Sequence, residues 1–279
     1  MISVVIPLYN KEPIIEKTLN SVLSQDYSDF EVVIVDDGST DNSVAQVEAI
    51  HDSRIRLLRQ ENGGPSKARN TGVKNAKGEG IVFLDAYDEL LPGALKYFSE
   101  KKQENSYIHF FCAPFYIEAN GKTELACKYA DMVIRNPYKG HFYGDFLPRT
   151  GAILCKKELC VNLMFNENIR RFEDLEWLYR VYKIAKPYAC SLPVLRTHFE
   201  FASASRARKD IKEDFLGYLD FKGKSFWEKM ALYGFYLGER DYYPEQCKKM
   251  YPWLYWRYDW LFLYKMVKMV AKLFNGKTL

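Results

Sequence analysis

Gly80-Ile81-Val82-Phe83-Leu84-Asp85-Ala86-Tyr87-Asp88-Glu89 is the stretch that decides the fold. An apolar run opens at a glycine and ends in two carboxylates, and the chain restarts at Leu90-Leu91-Pro92-Gly93. A run that short and uniform reads as a strand buried on both faces, which is the strand type of parallel sheets. Ligands of such sheets bind outside the carboxyl ends of the strands, where Asp85 and Asp88 fall. Carboxylates there suit a divalent cation and, through it, phosphate oxygens. Capping of a helix entering at Pro92 would use the same residues.

The residues upstream repeat this design. Residues 2–7 form a buried strand, left through Pro7-Leu8-Tyr9-Asn10, with Asn10 as N-cap of a helix whose apolar stripe is Ile14, Ile15, Leu19, Val22 and Leu23. Residues 31–35 form a second buried strand ending in Asp36-Asp37-Gly38, and residues 41–50 read as a helix. Ile55 and Leu57 mark a more exposed strand, and Gly63-Gly64-Pro65 opens a helix that carries Lys67 and Arg69. Alternation at this pace means βαβ units and a mostly parallel α/β sheet. Three polar clusters then share one sheet edge: Pro7/Tyr9/Asn10, Asp36/Asp37 and Asp85/Asp88. A ligand site explains three together better than independent caps do.

Beyond Asp88 the alternation lapses. Residues 92–103 look helical, 107–117 strand-like and 118–145 polar, with a strand at 150–155 and another within 188–198. Arg171-Phe172-Glu173-Asp174-Leu175-Glu176-Trp177 starts a helix, and its acids also suit a helix N-terminus.

Composition sets the class. The 279 residues are 48% hydrophobic and 16% aromatic, with a net charge of +4, which fits one α/β domain plus an extension. Residues 206–279 carry 15 Lys/Arg and 9 Asp/Glu, a balance of +6, so residues 1–205 balance at −2. The six cysteines show no paired or zinc-binding spacing, and no uncharged apolar stretch is long enough to span a bilayer. With the first strand starting at Ile2, no signal peptide is expected, and the expected location is the cytoplasm.

The motifs in series resemble the family 2 glycosyltransferases, inverting sugar-nucleotide enzymes of the GT-A fold. The residues that carry the resemblance are Val4-Val-Ile-Pro-Leu-Tyr-Asn10, Val35-Asp-Asp-Gly-Ser-Thr-Asp41, Asn62-Gly-Gly-Pro-Ser-Lys-Ala-Arg-Asn-Thr-Gly72, residues 83–88 and Phe172-Glu-Asp-Leu-Glu-Trp177. The resemblance covers about residues 1–200. It implies a GT-A catalytic domain over 1–205, with a nucleotide-binding half to residue 90 and an acceptor-binding half beyond, and a helical extension from 206 to 279.

The resemblance implies donor contacts from Pro7, Tyr9, Asn10, Asp36 and Asp37, from Lys67 and Arg69, and from Asp85, Ala86 and Tyr87. It implies Mg2+ or Mn2+ at Asp85 and Asp88, with His198 beside them and a Ser203-x-Ser205 pattern after it. It makes Asp174 the general base, with Glu173 its partner. The acceptor would be a saccharide or a lipid-linked saccharide in cell-surface polysaccharide synthesis. Nucleic acid is not an expected partner, and the sequence leaves a homodimer open.

One residue departs from the pattern. Tyr87 stands where the family's Asp-x-Asp-Asp segment has its principal metal ligand, and a neutral phenol is a poor ligand for Mg2+ or Mn2+. A shifted metal geometry, weak metal binding or a binding module without transferase activity all follow from that exchange. A nucleotidyltransferase would want a basic, glycine-rich loop directly after the first strand, where Pro7-Leu-Tyr-Asn10 stands. His141 has no assigned role. Residues 246–279 hold seven Lys/Arg and one acid, and Lys265, Lys268 and Lys272 share a helix face. With the Tyr/Trp-rich start of 251–274, this suits either the surface of an anionic membrane or a helix packed on protein.

Overall fold

Neighbouring residues of the first strand go to opposite cores. In the computed structural model, which describes residues 1–201, 210–255 and 258–274, Val5 joins Val33, Val35, Ile81 and Phe83 on one side of a sheet. Val4 and Ile6 join Val32, Ile34, Val82 and Leu84 on the other. A strand alternates its side chains, so only a sheet covered on both faces needs an uninterrupted apolar run. Strands β1 (Ile2–Leu8), β2 (Phe30–Asp36), β3 (Ile55–Arg59) and β4 (Gly80–Phe83) are those runs, and they pair in parallel.

Helices α1 (Ile15–Leu23), α2 (Ser43–Ala49) and α4 (Ala94–Glu104) contribute Ile15, Leu19, Val22, Val47, Leu95 and Phe98 to the second core. Helix α3 (Pro65–Asn75) covers the first. Its Gly72 is required by contact: a Cβ there would lie 2.2 Å from Val5 Cγ1. Asn10 does not cap α1. Residues 12–14 form a turn and Ile14 stands at the cap, while Asn10, at φ +48, turns its Oδ1 to accept from the Thr40 amide at 2.8 Å.

The sheet continues past β4 as β10 (Ile153–Lys156), β6 (Phe110–Cys112), β11 (Tyr188–Ala189) and β9 (Met132–Val133), giving eight strands. A second sheet runs β5 (Asp88–Leu90), β12 (Leu195–His198), β7 (Phe115–Ala119), β8 (Lys122–Leu125). The segments 107–117 and 188–198 therefore each split between two sheets. Pro114, which has no N–H to donate to a ladder, separates β6 from β7. The polar region 118–145 holds more order than its composition suggests. Asn120 and Gly121, at φ +53 and +70, turn β7 into β8, and α5 (Pro137–Tyr143) follows. Asn-Gly is a hairpin signal, and here it lies in the polar stretch.

β10 runs antiparallel to β4, pairing Leu154 with Val82, and leads into α6 (Lys157–Asn162). A 3-10 turn at Thr150–Ala152 precedes β10, and Arg149 before it comes within 3.4 Å of the Tyr87 hydroxyl. Helix α7 (Glu173–Ile184) lays Trp177, Leu178 and Val181 on the first core.

The C-terminal helices α8 (Phe226–Glu239), α9 (Pro244–Met250), α10 (Pro252–Tyr255) and α11 (Tyr258–Phe274) join that same core through Met230, Tyr233, Tyr236 and Leu254. In α11 the residues Leu263, Tyr264 and Val267 face inward, while Phe262, Lys265, Met266 and Met269 are exposed. The amphipathic reading thus resolves into one face packed on protein and one face left open. Lys268 turns inward to the Phe142 carbonyl, away from Lys265. Ser203, Ser205 and part of the aromatic stretch 251–260 lie outside the described residues. No helix among the described residues is long and apolar enough to cross a membrane.

Candidate active site

A cleft of about 440 Å³ opens at the carboxyl ends of the parallel strands. β1 and the loop after it supply Pro7, Leu8, Tyr9 and Lys11, the loop after β2 supplies Asp37, and α3 with its entry supplies Asn62, Gly64, Pro65 and Arg69. Asp85, Ala86 and Tyr87 follow β4, and the far wall is Arg149, the run 170–174, Phe199 and Phe201. Nine of the expected site residues therefore meet in one place: Pro7, Tyr9, Asp37, Arg69, Asp85, Ala86, Tyr87 and the pair Glu173-Asp174.

Five do not line it. Asn10 and Asp36 shape the loops, with the Asp36 Oδ1 accepting from the Ser39 amide at 3.0 Å. Lys67 lies on α3 outside the lining, and Asp88 is wholly buried behind it. His198 is buried against Glu89 of β5 and lies 3.4 Å from Lys17 Nζ, which keeps its ring in the second sheet. His141 is likewise remote. It sits among the rings of Phe146, Tyr179 and Tyr182.

Asp37 holds the loop that forms the cleft floor. Its carboxylate accepts from the Gly63 and Gly64 amides at 2.9 and 2.8 Å and from Gln60 Nε2 at 2.7 Å. Gly64, at φ +87, takes a backbone conformation that a side chain would strain. A carboxylate has about four acceptor positions, so one remains for a ligand donor.

Arg69 is buried and bridges the two walls, donating from Nη2 to Asp85 Oδ1 and from Nη1 to Glu173 Oε1, each at 2.8 Å. Burial alone would raise the Asp85 pKa, but Arg69 and Arg149 more than offset it and hold the carboxyl below its usual range. Burial and the Asp174 charge raise Glu173 despite Arg69. Asp174, beside it, belongs to no ion pair among the described residues and opens onto the cleft. The two acids of the pair are thereby distinguished: Glu173 is tied to Arg69, and Asp174, which accepts from the Leu175 amide at 2.8 Å, faces the cleft without an ion-pair partner among the described residues. Phe172 just before them sits in the left-handed region at φ +58, a strained conformation of the kind that clusters at functional sites.

The donor set expected for a metal does not fit one. Asp85 Oδ1 is taken by Arg69, and its Oδ2 accepts from the Tyr87 hydroxyl at 3.2 Å. Burial, then Asp85, raises the Tyr87 phenol well above its ordinary value, so it remains a neutral hydroxyl. Asp88 Oδ2 accepts from Arg149 Nε at 3.4 Å, and its Oδ1 is enclosed without a hydrogen-bond partner among the described residues. Among the described residues no three His, Cys, Asp or Glu side chains converge as metal ligands.

Lys11 and Arg149 escape a reading of the sequence. Lys11 follows the first motif directly, and Arg149 lies in a stretch without periodicity. Lys11 forms no ion pair among the described residues, and burial lowers its pKa.

The profile of Glycosyl transferase family 2 matches residues 3–155, which include every cleft residue through Arg149. The glycosyltransferase EpsJ of Bacillus subtilis is 34% identical over 62% of this chain, and the match spans 54% of EpsJ's own length. A Campylobacter jejuni GalNAc(5)-diNAcBac-PP-undecaprenol beta-1,3-glucosyltransferase is 30% identical, covering 78% of this chain and 72% of that one. In fold, the chain resembles S. aureus TarS 1-349 in complex with UDP-GlcNAc, with a TM-score of 0.67 at 20% identity, over 90% of this chain and 75% of that one. A cleft assembled from the family's own motifs, a profile over more than half the chain and a relative aligned along most of its length agree, and the chain belongs to glycosyl transferase family 2.

Proposed function

We propose that this chain transfers a sugar from a nucleoside diphosphate sugar, a uridine one, to a hydroxyl of a saccharide or lipid-linked saccharide, inverting C1. The observation that carries this reading is the state of Asp174, a carboxylate that lines the cleft, accepts from the Leu175 amide at 2.8 Å and forms no ion pair among the described residues, beside a partner already bound to Arg69. Asp174 accepts the acceptor's hydroxyl proton as that oxygen attacks C1 from the face opposite the diphosphate. The C1–O bond breaks with its electron pair leaving on the β-phosphate oxygen. Attack and departure on opposite faces invert the centre, and a single carboxylate suffices.

Glu173 positions Asp174 through its bond to Arg69 and touches no substrate. Asp37 and Tyr9 flank the base and ribose: Asp37 has an acceptor position for an imide N–H, and Tyr9 offers a ring face. The domain layout follows, with residues 1–90 holding the donor and 91–205 shaping the acceptor side.

The exposed Phe262, Lys265, Met266 and Met269 of α11 suit peripheral contact with an anionic membrane, as a lipid-linked acceptor in cell-surface polysaccharide synthesis would require. Six free cysteines are at ease in the reducing cytoplasm. Tyr87 favours a second reading, donor binding without transfer. One assay separates the two: UDP release from a panel of UDP-sugars, UDP-GlcNAc among them, with an undecaprenyl-diphosphate-linked saccharide as acceptor. The transferase reading expects acceptor-dependent UDP release and an inverted anomer by NMR, with Asp174→Asn slower by about 10²–10⁴-fold. UDP binding without turnover would leave the binding module standing, and an Asp174→Asn enzyme at full rate would remove the base.

A further inference from the structure

A nucleoside diphosphate is released as a polyanion, so some cation must meet it in the cleft. We infer that the guanidinium of Arg149, assisted by the ammonium of Lys11, holds the diphosphate in this chain without a divalent metal ion. The inference rests on the nucleotide-sugar reading and adds what neutralises the leaving group.

The charges of the cleft support it. Of the cations near the carboxyl end of β4, Arg69 is committed to Asp85 and Glu173. Arg149 is held more loosely, with Nε 3.4 Å from Asp88 Oδ2, and Nη2 3.4 Å from the Tyr87 hydroxyl and 3.9 Å from Asp85 Oδ2. Its Nη1 engages no partner among the described residues, which leaves a donor for a phosphate oxygen. Among the described residues, the hydrogen bonds of Lys11 Nζ are long ones, at 3.4 and 3.3 Å, to the carbonyls of Tyr9 and Asn10. It lies 5.9 Å from the Tyr87 ring centroid, on the same side of the cleft wall.

Tyr87 makes this arrangement workable. A carboxylate at position 87 would pair with Arg149 and call for a divalent ion. A phenol instead donates to Asp85 and adds no charge, so the Arg149 fork is free to turn to an incoming anion. Arg149 Nη2 lies 3.4 Å from the Tyr87 hydroxyl, so the cation and the neutral residue that spares it are neighbours in space. When the C1–O bond breaks, its electron pair comes to rest on a β-phosphate oxygen facing a fixed, always protonated guanidinium.

The test is calorimetric titration of UDP and of uridine into the full chain, in EDTA and in excess Mn2+, for the wild type, Arg149→Gln and Arg149→Lys. UDP should bind in EDTA, with Mn2+ changing its affinity less than about twofold. Arg149→Gln should weaken UDP about tenfold or more while uridine binding stays within about twofold, and Arg149→Lys should fall between. UDP binding that requires Mn2+ would overturn this inference and leave the nucleotide-sugar reading intact, as would an Arg149→Gln chain that holds UDP at full strength. A wild type that binds neither UDP nor uridine in either condition would remove the uridine donor and this inference together. The wild-type comparison decides the question even where Arg149→Gln does not fold.

Discussion

Arg69 Nη1 lies 2.8 Å from Glu173 Oε1 across 104 residues of chain, and it fastens the helix after the third parallel strand to the start of α7. Both side chains are buried, at 4% and 8% exposure, so neither charge can fall back on water. Arg69→Ala would leave Asp85 and Glu173 buried without their cation, and the expected loss is about 3–5 kcal/mol of stability. Glu173→Gln keeps an acceptor and should cost less. Urea denaturation of both variants checks the order, and an Arg69→Ala protein as stable as wild type would show that the bridge does not hold the walls together.

Asp37 acts on the fold before it acts on a ligand. Asp37→Ala would strip the Gly63 and Gly64 amides of their acceptor, at an expected cost of about 1–3 kcal/mol. Asp37→Asn retains one acceptor oxygen and should be milder in stability. Both should weaken UDP about tenfold or more, because the loop and the base contact go together. Denaturation midpoints with UDP titrations read the two effects separately. Unchanged UDP affinity in Asp37→Asn would place the base elsewhere.

His141 predicts an acid sensitivity. Burial lowers its pKa to about 4 from an ordinary 6.5, so the folded state resists its protonation. A depressed folded value means that its contribution is whole above pH 6.5 and is lost as pH falls towards 4. Its ring is only partly enclosed, so the loss should be about 2 kcal/mol, below the full value of the shift. The comparison is wild type against His141→Gln, which can keep a bond to the Tyr182 hydroxyl, by urea midpoints at pH 7 and pH 4. An equal loss in both proteins would sink the assignment.

The open face of α11 should bind anionic vesicles. Phe262 and Met269 are 70% and 58% exposed, beside Lys265. Replacing Phe262, Met266 and Met269 together by serine should abolish most co-sedimentation with phosphatidylserine vesicles. Stability should move by less than about 0.5 kcal/mol, as for surface positions. Vesicle binding that survives the triple change would assign the face to another partner.

The strands β1 to β4 were legible because each satisfies a local condition, an apolar run closed by polar residues, that any parallel sheet imposes. The sharing of one edge by Tyr9, Asp37 and Asp85 followed from that topology. Asn10 and His198 were less legible. Each matches a local pattern, a cap or a strand end, and each is claimed by a partner from elsewhere, the Thr40 amide for one and the Glu89 side chain for the other. Asp88 had the right type and spacing, yet it turned inward on β5 and out of the cleft.

The sequence by itself determined the parallel core, the edge where chemistry gathers and the candidate acids along it. Alternation, glycine turns and charge at strand ends are written over a few consecutive residues. The tertiary structure alone decided which of those acids is tied into an ion pair. Glu173 and Asp174 are adjacent and alike in sequence, and only the approach of Arg69 from 104 residues away separates an ion-paired carboxylate from one that meets no cation among the described residues. Arg149 likewise meets the Tyr87 hydroxyl at 3.4 Å across 62 residues of chain. Electrostatics acts across space within a few ångströms, and the chain brings those neighbours together only when it folds.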